Sequence, residues 1–177
     1  MERIIVIGCP GAGKSTFARR LSDLTGLPLH HLDMIWHLPD RSTITEAEFD
    51  QRLDRILAQD RWIIDGNYGR TLEKRLERCD AVFLLDLPAA VCLEGARERI
   101  GRSREDLPWT EEELDPEFRQ WIEDFPKTQL PGIYRALDRL GAGKEIHIFR
   151  SREEADRWAE EFRRTNKSPG PKPDPSH

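Results

Sequence analysis

Apolar residues in this chain fall into five short runs, separated by segments in which they recur at helical spacing. Arg3-Ile4-Ile5-Val6-Ile7 and Ala81-Val82-Phe83-Leu84-Leu85-Asp86 are almost continuously apolar, the mark of strands buried on both faces of a parallel sheet. Leu29-His30-His31-Leu32-Asp33, Arg61-Trp62-Ile63-Ile64-Asp65 and Glu145-Ile146-His147-Ile148-Phe149 read as the other three strands. Between them, Phe17, Leu21 and Leu24 share a helix face, as do Phe49, Leu53, Ile56 and Leu57 behind a Thr45/Glu48 capping box. A basic helix is expected from Thr71 to Arg78, then one through Val91, Leu93, Ala96 and Ile100. Phe118, Trp121, Ile122 and Phe125 predict a helix that Pro126 closes, followed by helices over 133–140 and through Ala155, Trp158, Ala159 and Phe162. The stretch 34–39 reads as irregular, and 101–116 as polar, irregular and the best candidate for a mobile segment. Strands alternating with helices predict an α/β three-layer sandwich around a five-stranded parallel sheet.

Ligands of such sheets bind beyond the carboxyl ends of the strands. The first strand ends there in Gly8-Cys9-Pro10-Gly11-Ala12-Gly13-Lys14-Ser15, which fits G-x-x-x-x-G-K-[ST] at every fixed position and runs into a helix. Glycines let successive N–H groups point at one anion, and the helix N-terminus adds its unpaired N–H groups. Gly11, Ala12, Gly13, Lys14, Ser15 and Thr16 are the expected nucleotide-binding residues. Lys14 reaches the β- and γ-phosphates, and Ser15 offers its hydroxyl to Mg²⁺.

Composition narrows the rest. With 177 residues, 37% hydrophobic and 34% charged, the chain is long enough for one core and short for two. A net charge of -5 argues against a sequence-independent grip on nucleic acid. Cys9, Cys79 and Cys92 lack the spacing of a disulfide framework or zinc site. No apolar run approaches the about 18 residues that a membrane span requires. Met1-Glu2-Arg3 leads straight into the first strand, so the cytoplasm is the expected compartment. Residues 1–165 read as one domain and 166–177 as a disordered proline-rich tail.

Asp33, Asp65 and Asp86 end strands on the rim of the phosphate loop. Asp65 is placed to hold Mg²⁺ directly or through water, the alternative being a turn residue before Gly66. Asp33 is placed to orient an acceptor hydroxyl, to assist the metal, or simply to cap a helix. Asp86, before Leu87-Pro88, reads as structural. His30 and His31 point to opposite faces of a strand and cannot share an ion; with His37 they read as core or pocket-wall residues. Trp36 and Tyr68 are candidates for a pocket wall, with burial in the core as the alternative. Arg97, Arg99, Arg102 and Arg104 crowd one segment; Arg99 and Arg102 can share a face over a migrating phosphate, and a solvated charged face is the alternative.

Residues 7–18, 29–37 (Leu29-His30-His31-Leu32-Asp33-Met34-Ile35-Trp36-His37) and 62–71 (Trp62-Ile63-Ile64-Asp65-Gly66-Asn67-Tyr68-Gly69-Arg70-Thr71) carry a resemblance to nucleoside monophosphate kinases. Within these the chain is similar to the adenylate-kinase-related group labelled DNA topology modulation proteins. The resemblance implies a P-loop NTPase sheet with a short lid, about residues 99–117, and ATP and Mg²⁺ as ligands. Adenylate kinases carry Asp-Gly-Phe-Pro-Arg where this chain has Asp65-Gly66-Asn67-Tyr68-Gly69-Arg70, which implies Arg70 as an arginine for the acceptor's phosphate. The expected function is therefore an ATP-dependent kinase, working as monomer or homodimer on a small, nucleotide-like acceptor. Lys14, Asp65, Arg99 and Arg102 would be catalytic, Ser15 and Asp65 would hold the metal, and Asp33, Trp36, His37, Tyr68 and Arg70 would shape the acceptor site. An ATP-binding regulator of DNA topology with little turnover and a small-metabolite kinase are the alternatives. A DNA association follows from the group's label alone.

Overall fold

The computed structural model describes residues 1–166, so the tail expected to be disordered lies, from residue 167 on, outside the described residues. Five strands, β1 (Arg3–Gly8), β2 (Leu29–His31), β3 (Trp62–Asp65), β4 (Ala81–Leu85) and β5 (Glu145–Phe149), form one sheet in the order β2-β3-β1-β4-β5. Every pairing is parallel. The most apolar runs, β1 and β4, take the centre, as burial on both faces requires.

Helix α1 (Lys14–Thr25) covers β1, β2 and β3 and meets α8 (Arg152–Thr165). On that face Phe17, Phe83, Phe149 and Trp158 form one aromatic cluster, with Phe17 5.1 Å and Trp158 4.7 Å from the Phe83 ring. The other face carries α4 (Leu72–Arg78), packed on β1 and on α7 (Leu130–Leu140). Helix α3 (Glu46–Leu57) starts where Thr45 accepts a hydrogen bond from the Glu48 amide, as its capping residues predict. Helix α5 (Ala89–Glu98) leads into residues 99–115, which form no helix or strand, and α6 (Pro116–Thr128) follows.

Two expectations change. The segment after β2 is not irregular: it opens a short helix, α2 (Leu32–Trp36), so Asp33 stands in a helical turn and the strand ends at His31. Nor does Pro126 close its helix, since α6 continues to Thr128. A proline interrupts a helix by leaving the carbonyl four residues back without its donor. Here that carbonyl belongs to Ile122, and the Cys9 thiol lies 3.9 Å from it, a weak donor in place of the missing amide.

Candidate functional site

The phosphate loop occupies the carboxyl end of β1. Gly11 and Gly13 take φ of 83° and 97°, the left-handed region in which glycine has no Cβ penalty. A second reason applies at Gly11, where a Cβ would fall 1.9 Å from the Cys92 carbonyl of α5. At Gly95, also on α5, a Cβ would fall 2.1 Å from the Gly11 carbonyl, so helix and loop touch backbone to backbone. Arg152 at the start of α8 donates to the same Gly11 carbonyl (3.1 Å). Lys14 Nζ folds back to the Cys9 carbonyl at 3.4 Å.

The turn after β3 is clamped to this loop. Asn67 accepts from the Gly8 amide (3.0 Å) and donates to the Gly8 carbonyl (2.7 Å). Its own carbonyl, with those of Gly66 and Tyr68, is held by Arg75 of α4, a guanidinium with no exposed surface. Burial pulls the Arg75 pKa down to about 10, and it stays charged at neutral pH.

Ser15 and Asp65 come together as expected, with Ser15 Oγ 2.7 Å from Asp65 Oδ2. Two partners were not legible in the sequence. His31, at the end of β2, puts Nδ1 2.7 Å from the same Asp65 oxygen. Asp106, from the irregular segment, brings Oδ2 to 2.8 Å from Ser15 Oγ. A hydroxyl has one proton and satisfies one carboxylate at a time. Asp65 Oδ1 is buried without a partner. Oxygen donors in excess of protons are the donor set of a hard divalent cation, and two carboxylates with a hydroxyl suit Mg²⁺ shared with nucleotide phosphates. Among the described residues no three His, Cys, Asp or Glu side chains form an all-protein cage.

Arg104 grips Asp106 with both arms of its fork (Nε–Oδ1 3.0 Å, Nη2–Oδ2 2.6 Å) and Glu111 with the remaining nitrogen (2.8 Å). Burial alone would raise the Asp106 pKa; the Arg104 hydrogen bonds and charge outweigh it and hold the carboxyl well below its usual range. Arg99 stands nearby with its Nε buried and unpartnered, and burial followed by the Arg104 charge lowers its pKa.

Two cavities meet at Lys14, Ser15, Arg99, Arg104 and Asp106. One, of about 690 Å³, is lined by the phosphate loop through Thr16, by Arg102 and by Arg152. The other, of about 780 Å³, is lined by Asp33, His37, Asp65, Tyr68 and the aromatic side chains of the irregular segment and α6. Tyr68 donates its hydroxyl to Asp33 Oδ1 at 2.6 Å, and burial, followed by the Asp33 charge, raises its pKa. Trp36 stands behind this wall rather than in it, edge-on to Phe49 (5.6 Å) and Tyr68 (6.4 Å). Arg70 is outside both cavities. A single 3₁₀ turn, Gly69–Thr71, sends it outward to a two-armed pair with Asp50 of α3 (3.0 and 2.8 Å). The role expected for it at an acceptor phosphate is therefore withdrawn. Asp86 is taken up by the Tyr134 hydroxyl (2.5 Å) and Arg150 (2.6 Å).

Structurally, the chain resembles shikimate kinase from Acinetobacter baumannii in complex with shikimate (TM-score 0.59, 18% identity, 96% of each chain). It also resembles shikimate kinase from Bacteroides thetaiotaomicron (TM-score 0.52, 17% identity, 93% of this chain and 97% of that one). The fold is that of a P-loop kinase. By sequence, this kinase-like chain is 35% identical over 86 residues to adenylate kinase 1, chloroplastic, of Arabidopsis thaliana, covering 46% of the chain and 29% of that protein. It is 28% identical over 88 residues to an adenylate kinase of Thermotoga maritima, covering 49% and 39%. The chain thus spans less than half the length of these curated relatives. No protein-family model matches it. The topology-modulation label has no counterpart among these relatives.

Proposed function

We propose that this protein is an ATP-dependent phosphotransferase that moves the γ-phosphoryl group of ATP to a hydroxyl of a small acceptor. The observation that carries this reading is the meeting of two cavities at Lys14, Ser15 and Arg99, one walled by the phosphate loop and the other by Asp33 and Tyr68. A triphosphate seated on the loop amides directs its terminal phosphorus toward the second cavity. Lys14 swings from the Cys9 carbonyl to the phosphate oxygens, and Arg99 offers its free Nε to the migrating group. Ser15, Asp65 and Asp106 would hold Mg²⁺, which when bound neutralises charge on the phosphates. Asp33, oriented by Tyr68, takes the proton of the acceptor hydroxyl as its oxygen bonds to phosphorus. The bond from phosphorus to the bridging oxygen breaks, and ADP leaves. Arg102 and Thr16 line only the ATP side, and His37 only the acceptor side.

The relatives support a kinase and divide over its acceptor. A nucleotide-like acceptor, implied by the sequence resemblance, loses its anchor once Arg70 faces outward. No described helix is long and apolar enough to cross a membrane.

The test is transfer of label from γ-labelled ATP to a panel of small hydroxyl compounds, with Lys14→Ala as control. The variant should melt with the parent, because it removes charge at a loop rather than core volume, and should lose transfer at least 100-fold. ATP binding without transfer to any acceptor would remove the phosphotransferase reading and leave a nucleotide-binding protein.

A further inference from the structure

The second cavity carries seven carboxylate side chains and four lysine or arginine side chains, of which Arg104 and Arg41 stand in ion pairs. Arg104 is committed to Asp106 and Glu111, both arms and the third nitrogen included. Arg41 stands 4.0 Å from Glu112 at the exposed mouth. Lys14 and Arg99 are shared with the ATP cavity, where the triphosphate claims them. With Lys14 and Arg99 given to the triphosphate, no unpaired lysine or arginine of the described lining remains for an anionic group on the acceptor.

The carboxylates have the opposite surplus. Asp33 is hydrogen-bonded to a neutral tyrosine, and Glu113 and Asp115 face the same space without a cationic partner among the described residues. Asp65 is 4% exposed and lines the cavity with Oδ1 unpartnered, and a divalent cation held there with Ser15 and Asp106 would take it, leaving Asp33, Glu113 and Asp115 as the acidic wall toward the acceptor. The remaining wall is aromatic: Trp109, edge-on to His37 at 4.9 Å, and Phe118 stacked on Trp121 at 6.3 Å. Ring faces and carboxylates together attract ammonium groups and repel phosphates.

We infer that the acceptor is an amine-bearing alcohol, cationic at neutral pH and without phosphate or carboxylate. This rests on the phosphotransferase reading and narrows its substrate. The amine lodges among Glu113, Asp115 and the aromatic wall, which leaves a hydroxyl of the same molecule to reach the phosphoryl group beside Asp33. A nucleoside monophosphate or shikimate in the same place would set its anion against those carboxylates.

The experiment uses the full chain saturated with Mg²⁺ and a non-hydrolysable ATP analogue, whose own binding is measured first by calorimetry. Ten amine-bearing alcohols of 6 to 20 heavy atoms, among them 2-deoxystreptamine, are each paired with the N-acetylated form and titrated by tryptophan fluorescence. AMP, dTMP and shikimate are the anionic comparisons. At least one amine should outbind its acetylated twin and all three anions tenfold or more. Glu113→Gln should weaken that amine threefold or more while leaving the affinity for the ATP analogue unchanged. The inference is overturned if no amine outbinds its twin, if an anion binds tighter, or if Glu113→Gln leaves the preference intact. Absent binding of the ATP analogue would instead remove the phosphotransferase reading itself, so the two failures are told apart.

Discussion

Arg75 offers the sharpest test of how the site is held. Its guanidinium is fully buried and holds the carbonyls of Gly66 (2.8 Å), Asn67 and Tyr68 (3.2 Å), with Nε also donating to Thr71 Oγ1 (3.2 Å). Arg75→Met keeps much of the length and volume and removes every donor. Each buried carbonyl left unpaired costs about 1–3 kcal/mol. Release of a buried charge and better apolar packing offset part of that sum, leaving a net loss of about 3 kcal/mol. At about 2–4 °C per kcal/mol for a domain of this size, the melting temperature should fall by roughly 6–12 °C. Circular dichroism melts check that figure. The turn also carries Asn67 and Tyr68, so KM for the acceptor should rise more than KM for ATP. Arg75→Lys, which keeps charge without the fork, should fall between parent and Met variant. A Met variant that melts within about 2 °C of the parent with both KM values unchanged would refute the reasoning.

Three further outcomes are expected. Arg70→Ala should leave kcat and both KM values within about twofold, because its exposed pair with Asp50 faces away from the cavities; a tenfold loss would return it to the site. Asp106→Asn should weaken Mn²⁺ binding to the ATP complex about tenfold, read by electron paramagnetic resonance, while equal affinity would reduce Asp106 to a partner of Arg104. Burial, then the neighbouring His31, lowers the His30 pKa, so the unfolded chain takes up its proton first. The stability that a neutral His30 allows is present above about pH 6.5 and lost as pH falls below it. The drop in urea midpoint from pH 7.5 to 5.5 should therefore shrink in His30→Gln; an unchanged drop would clear His30 of the effect.

The strands and the phosphate loop were legible because their signals are local. Continuous apolar runs mark buried parallel strands, and eight consecutive residues spell the loop. Asp65 could be placed beside Ser15 because the sheet forces strand ends together. Asp106 was out of reach: it stands 91 positions from Ser15 in a segment without periodicity, so nothing along the chain records their approach. Arg75 was not singled out within the basic helix expected over Thr71 to Arg78, since composition does not say which face turns inward. Arg70 misled for a related reason. The motif likeness that implied its role, with Arg70 one position later than in adenylate kinases, says little about side-chain direction after a tight turn. At Pro126 the general rule met a local exception, because a thiol from the phosphate loop stood in for the missing amide.

The backbone contact between Gly11 and Gly95 reaches beyond the loop itself. Helix α5 delivers the chain to Arg99, and its distance from the phosphate loop is set by two hydrogen atoms where other residues carry a Cβ. An alanine at either glycine would wedge the helix outward and swing the whole arginine-bearing segment with it. Binding strength and transfer rate would then deteriorate together, although neither position has a side chain to offer a substrate.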